Sequence, residues 1–179
     1  MMNNFQNIIS EARKKSLSSV DILNLVDHKA KLILYPELSN YDHIDQVLQP
    51  FGVVILLYET KHHYGHWCAL IKRNDNTVEH FDSYGYRPDD ELDFIDSNFR
   101  DINNERYPHL TALLYNSGYV IEYNDKQLQQ HKKDYNSCGR WTAMRIILRY
   151  ISIEQFIELF KSDSVISSDD LVTLLTIFI

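Results

Sequence analysis

The sequence predicts an α+β domain built on a central, mostly antiparallel sheet flanked by helices. Three observations carry this. Segments rich in β-branched and aromatic residues cluster in the middle of the 179-residue chain. Helical spacing of apolar residues occupies both ends. Strands do not alternate with helices as a parallel βαβ repeat requires. No internal repeat or Pro/Gly/Ser-rich linker interrupts the chain, so residues 1–179 are expected to form one domain with one substantial core.

Element by element, residues 4–14 and 18–27 read as helices, the second with Ser18, Ser19 and Asp21 as candidate caps before ILNLV. Three strand-like runs follow: FGVVILLYE (51–59), GHWCALIKR (65–73) and TVEHFDSYG (77–85). Asn74, Asp75 and Asn76 separate the last two and signal a hairpin. A charged, partly helical stretch, RPDDELDFIDSNFRDINNERYP, precedes a further strand, GYVIEYN (118–124). After a polar loop, CGRWTAMRIILRYI carries Trp141, Met144, Ile147 and Leu148 on one stripe, widened by Ile146 and Ile151, which fits a largely buried helix. SIEQFIELF and SSDDLVTLL read as two more helices, and the apolar tail LVTLLTIFI as a docked terminal element.

Composition narrows the function. The formal charge of −7, with ARKK and KK as the main basic runs, argues against a surface that coats nucleic acid. Two cysteines make no disulfide framework and point to a reducing compartment. The N-terminus lacks the apolar stretch of a signal peptide, and no run approaches the roughly 20 apolar residues of a membrane span. A soluble intracellular protein is expected.

Cys138 stands before Gly139 and the start of a predicted helix, where unpaired N–H groups and the helix dipole favour a thiolate. A nucleophile there needs a base, and His66, beside Trp67 at the start of a strand, is the candidate. The hairpin decides whether Asp82 orients it. If the loop is odd-numbered, with Arg73 facing Thr77, Asp82 lies opposite Cys68 and shares a face with His66. A two-residue loop puts Asp82 on the other face. An oxyanion donor is sought among Gln127, Gln129 and Gln130, with the Cys138 amide as its partner. His62, His63, His66 and Cys68 lie close in sequence, but they match no familiar zinc spacing and rank below the catalytic arrangement. No metal or other cofactor is expected. Cys68, mid-strand, is expected to be a small buried hydrophobe.

GHWCALI, HFDSYGYRPDD, a Gln and then SCGRW with an apolar helix resemble the adenain family of viral maturation proteases. Their wider clan includes SUMO-deconjugating proteases and capsid-maturation proteases of other DNA viruses and virophages. The resemblance spans roughly residues 51–150. It implies a permuted papain-like fold with the nucleophile at a helix N-terminus. It matches His66 to the base, Asp82 to the acid and Cys138 to the nucleophile. The family's oxyanion Gln sits slightly nearer its cysteine; Gln130 is the first choice on proximity and Gln129 the alternative. With this core intact, a pseudoenzyme is disfavoured.

The resemblance also implies protein or peptide substrates with small, Gly-type residues beside the scissile bond. These are capsid or core precursors for a maturation protease, or the Gly-Gly tail of a ubiquitin-like modifier for a deconjugating one. The compact chain and Cys-Gly-Arg-Trp stand closer to viral members, so maturation in host cytoplasm, nucleus or virion is expected. A peptide or nucleic-acid activator is left open, and the negative charge makes DNA the less natural one. The reading from another class is a non-catalytic peptide-binding module, with Cys138 in the core and Trp67 and Tyr84 forming the binding face.

Overall fold

The computed structural model describes residues 2–62, 64–161 and 166–177, with side chains from residue 6 onward. The strands run β1 (Lys31–Leu34), β2 (Val53–Lys61), β3 (Tyr64–Asn74), β4 (Thr77–Asp82) and β5 (Val120–Tyr123), and lie side by side in that order. The three central strands pair antiparallel, as expected. Both edges pair parallel, β1 with β2 and β5 with β4, which makes the sheet mixed. The sequence reading missed β1, because KLIL is too short for a periodicity signal.

Helices α1 (Met2–Lys14) and α2 (Ser19–Leu25) precede the sheet. Ser18 caps α2 as its sequence suggests: its hydroxyl accepts from the Asp21 N–H, and the Asp21 carboxylate accepts from the Ser18 N–H in return. A short 3-10 turn, Tyr35–Asn40, and α3 (Ile44–Leu48) were not anticipated. The charged stretch after β4 forms a second 3-10 turn, Asp90–Phe94, and α4 (Ser97–Ile102), followed by α5 (His109–Tyr115). Then come α6 (Cys138–Ile147), α7 (Ile153–Leu159) and α8 (Ser168–Ile177).

Alternation of side chains along β2, β3 and β4 divides the core into two layers. On one face Ile55, Ala69, Ile71 and Phe81 pack against Ile22 of α2, Trp141 and Ala143 of α6 and Phe156 of α7. On the other, Val54, Leu56, Leu70 and Val78 meet Tyr35, Val47 and Leu110. Both faces are covered, which is why β2 reads as the unbroken run VVILLY.

The β3–β4 register combines the two hairpin geometries weighed from sequence. Asn74 pairs with Thr77 across two residues, but the ladder shifts at Arg73, so Lys72 faces Val78 and Cys68 faces Asp82. The bulge restores the register that an odd-numbered loop gives. Arg73 then donates to the carbonyls of Arg149 and Ile151, just past the end of α6. Nearby, Arg145 of α6 makes a two-pronged ion pair with Glu79 of β4, at 2.6 and 2.7 Å, and both side chains are fully buried. Arg145 also donates to the Leu148 and Ile151 carbonyls, so each of its three nitrogens has an acceptor.

Replacing Glu79 with Gln leaves the Arg145 charge without its counter-ion and is expected to cost about 3–5 kcal/mol in urea unfolding. A Glu79→Leu, Arg145→Met pair is expected to cost less than that single change. A second test concerns Glu105, which is buried with neither carboxylate oxygen hydrogen-bonded. Burial and the nearby Glu59 charge push it up to about 7. A raised carboxyl favours the fold below its unfolded value, and that contribution is lost as pH rises through the folded one. Glu105→Gln is therefore expected to raise Tm at pH 8 and leave it unchanged at pH 4.

Candidate active site

The β3–β4 register brings His66 and Asp82 together on one face. His66 Nε2 lies 3.0 Å from Asp82 Oδ2, and both residues are buried. The other carboxylate oxygen, Oδ1, accepts from the Tyr84 N–H at 2.7 Å. That contact turns the chain after Asp82, which is why β4 ends there rather than at residue 85. Asn124, at the end of β5, brackets the same residue: Asp82 N–H donates to its Oδ1 at 3.0 Å, and its Nδ2 donates to the Asp82 carbonyl at 2.5 Å.

Cys68 is buried in the core as expected, but it is not a plain hydrophobe. Its thiol donates to Asp82 Oδ2 at 3.1 Å, the same oxygen that meets His66. Burial, and then the Asp82 charge, push this thiol well above its ordinary range, so Cys68 is held as a neutral donor.

Burial alone would lower the His66 pKa. The Asp82 charge and hydrogen bond, with contributions from Cys68 and Cys138, hold it well above the usual value. Asp82 is pushed up by burial but brought down to about 2 by His66. Asp82 therefore favours a proton on the His66 ring. The Asp82 contribution to stability is present above its unfolded value of about 3.9 and is lost as pH falls through about 2. The His66 contribution is full below about 6.5 and is lost as pH rises through its raised value.

Nε2 is taken by Asp82, which leaves Nδ1 for the nucleophile; His66 and Cys138 line the same cleft, and the thiol adds to the rise in the imidazole pKa. Cys138 is the first residue of α6, so its N–H belongs to the first-turn donors that have no intrahelical acceptor. Ser137 occupies the N-cap, yet its hydroxyl does not cap. It donates instead to Asp169 Oδ1 of α8 at 2.5 Å. The helix start is thus left open to an anion. Gly139 follows from packing: a Cβ there would stand 2.9 Å from Ile22 Cδ1 and 3.2 Å from both Leu17 Cβ and Trp67 Cδ1.

The structure separates the two glutamines. Gln129 is buried and lines the cleft with Cys138 and His66. Its Oε1 accepts from the Ser83 hydroxyl at 2.8 Å, and its Nε2 donates to the Tyr84 hydroxyl at 3.1 Å and the Tyr135 carbonyl at 3.0 Å. Gln130 does not line the cleft; its N–H is tied to Asp169 Oδ2 at 2.9 Å. Closeness in sequence favoured Gln130, but the loop after β5 turns the neighbouring side chain inward. Tyr84 stacks on the His66 ring at 4.8 Å and on His131 at 4.0 Å. Trp67 faces the α6 side, donates to the Leu17 carbonyl at 3.3 Å and lines a second, more apolar arm of the cleft beside Cys138, with Leu32, Leu34 and Leu57.

Glu91 was not anticipated. It sits in the 3-10 turn Asp90–Phe94, 7% exposed, with Oε1 3.5 Å from His66 Nδ1. Nothing in the linear spacing of the charged stretch marks it out. Of the four residues weighed as metal ligands, His62 is exposed and His63 lies outside the described residues. His66 and Cys68 do converge, with Asp82 as the third: their ligand atoms lie within 4.8 Å of one another. Direct hydrogen bonds account for that closeness.

No family model matches the sequence. Two crystal structures of the ASFV pS273R protease match with TM-scores of 0.51 and 0.50, over 91% of this chain and 67% of theirs, at 15% identity. The fold is accordingly that of a viral protease. By sequence, the chain is 42% identical over 167 residues to the uncharacterized protein V9 of the Sputnik virophage, spanning 92% of this chain and 95% of that protein. The chain belongs to the V9 family.

Asp82→Asn removes the charge that holds the His66 proton. NMR titration of the His66 ring protons is expected to show the midpoint moved to lower pH, and an unmoved midpoint would mean that Asp82 does not charge the ring.

Proposed function

We propose that the protein is a cysteine endopeptidase that cleaves capsid or core precursor proteins beside small, Gly-type residues during particle maturation, in the infected cell or the virion. The observation that carries this reading is the imidazole of His66, bonded to Asp82 and lining one cleft with Cys138 at the start of α6. The viral protease fold and the virophage relative support it.

In this scheme His66 draws the thiol proton, and the Cys138 sulfur attacks the scissile carbonyl carbon. The oxyanion forms against the Cys138 N–H and the Gln129 amide, replacing the Tyr84 hydroxyl as acceptor for one Gln129 N–H. Collapse of the tetrahedral adduct breaks the C–N bond as His66 passes its proton to the leaving amine. Water, deprotonated by His66, then attacks the thioester. The acid is released and the proton returns to the Cys138 sulfur. The walls formed by Tyr64, Gly65 and Trp67 beside Cys138 suit a substrate without bulk at the bond.

Purified protein incubated with virophage particle precursors tests this directly. Cys138→Ala is expected to abolish cleavage without unfolding the protein, and His66→Ala to slow it by about 10²–10⁴-fold. Alkylation followed by mass spectrometry is expected to label Cys138, dependent on His66, and to spare Cys68. If Cys138 is as inert as Cys68 until the protein unfolds, the site is not catalytic and a peptide-binding module replaces the reading. Processing of a ubiquitin-like fusion alone would redirect the substrate assignment.

A further inference from the structure

Glu91 is a buried carboxylate with little to bury it for. Its sole partner among the described residues is His66 Nδ1 at 3.5 Å, too long for a firm hydrogen bond. Among the described residues no Lys, Arg or backbone N–H reaches it, and the ring that does is already held by Asp82. It is not needed to charge the imidazole, since Asp82 does that through Nε2 at 3.0 Å. In the proposed chemistry Nδ1 is the nitrogen that serves Cys138.

The place of Glu91 in the cleft is defined by the chemistry. His66 delivers its proton to the leaving amine, so the chain beyond the scissile bond must run past the Nδ1 edge of the ring. Glu91 stands at that edge and lines the same arm of the cleft as Cys138 and Gln129. The other side chains of that arm, among them Thr60, Tyr64, Tyr84 and Asn136, are uncharged apart from His66. The opposite arm, with Leu32, Leu34 and Leu57, is lined by apolar and neutral polar residues. The two arms therefore differ in charge, and the single carboxylate lies on the leaving-group side.

The geometry points to Glu91 as a specificity subsite that takes a basic side chain, Lys or Arg, from the first two residues after the scissile bond. This inference rests on the protease reading above. It adds to the small residue at the bond a cationic requirement just beyond it. The substrate ammonium or guanidinium supplies a hydrogen-bonded cation beyond the His66 ring, which stands 3.5 Å from the carboxylate.

The test is a set of peptides built on one cleaved sequence, with Lys, Arg, Gln or Glu at each of the two positions after the bond, and the wild-type protein beside Glu91→Gln. Wild type is expected to prefer Lys or Arg over Gln by about tenfold in kcat/KM, as a buried charge-assisted hydrogen bond implies. Glu is expected to be the poorest. Glu91→Gln is expected to flatten the series. A measurement on wild type alone covers the case in which the variant does not fold. Burial raises the Glu91 pKa, so the Lys-to-Gln ratio should shrink as pH falls and the carboxylate takes a proton. Equal cleavage of all peptides by wild type, or a preference that survives in Glu91→Gln, overturns the subsite while leaving the protease reading intact. No cleavage of any peptide, with Cys138 inert to alkylation, removes both.

Discussion

The shift in the β3–β4 ladder at Arg73 is the constraint on which the rest depends. Side chains alternate along a strand, so a slip of one residue would send Asp82 to the opposite face from His66 and Cys68. By absorbing one residue, the bulge places Cys68 across from Asp82. The imidazole, carboxylate and thiol then share a single buried cluster. The bulged residue is itself engaged, since the Arg73 guanidinium meets the carbonyls of Arg149 and Ile151. One irregularity thus sets the acid–base pair at one end of the hairpin and anchors the chain beyond α6 at the other.

The helix that presents Cys138 is held at both ends by buried charge. At its far end Arg145 pairs with Glu79 of the sheet. At its start Asp169 accepts from the Ser137 hydroxyl and from Trp141 Nε1 at 2.9 Å, and its second oxygen receives the Gln130 N–H. Between them, Thr142 donates to the Trp67 carbonyl at 3.0 Å, fastening α6 to the strand that carries His66. Burying ions is costly unless their bonding is complete, and here the partners are numerous and directional. Cys138 and His66 come from distant parts of the chain, and this polar framework, together with the packing of Trp141 and Ala143 on the sheet, fixes their mutual position.

Much of this was legible in the sequence. The central strands, the helix after Cys138 and the capping of α2 by Ser18 follow from local patterns, and His66, Asp82 and Cys138 are marked by their motifs. What escaped depends on contacts between segments remote in sequence. β1 is four residues long and owes its existence to pairing with β2. Gln129 and Gln130 are chemically identical neighbours, and only Ser83, Tyr84 and Tyr135 decide which one turns inward. Cys68 looks like any buried thiol until the register puts Asp82 opposite it. Glu91 sits among several acids, and nothing local separates the one that reaches the imidazole from its solvated neighbours.

The role of Asp169 has a temporal consequence. It lies in α8, after both members of the His66–Asp82 pair and after Cys138 itself, yet it tethers Ser137, Trp141 and the backbone of Gln130. On a ribosome the hairpin and the nucleophile emerge well before this aspartate does. A nascent chain therefore holds every reactive group of the site while the loop and helix start that orient them are still untethered. Only with α8 in place is that helix start tethered, so the geometry of the site waits on a segment made after all of its reactive groups.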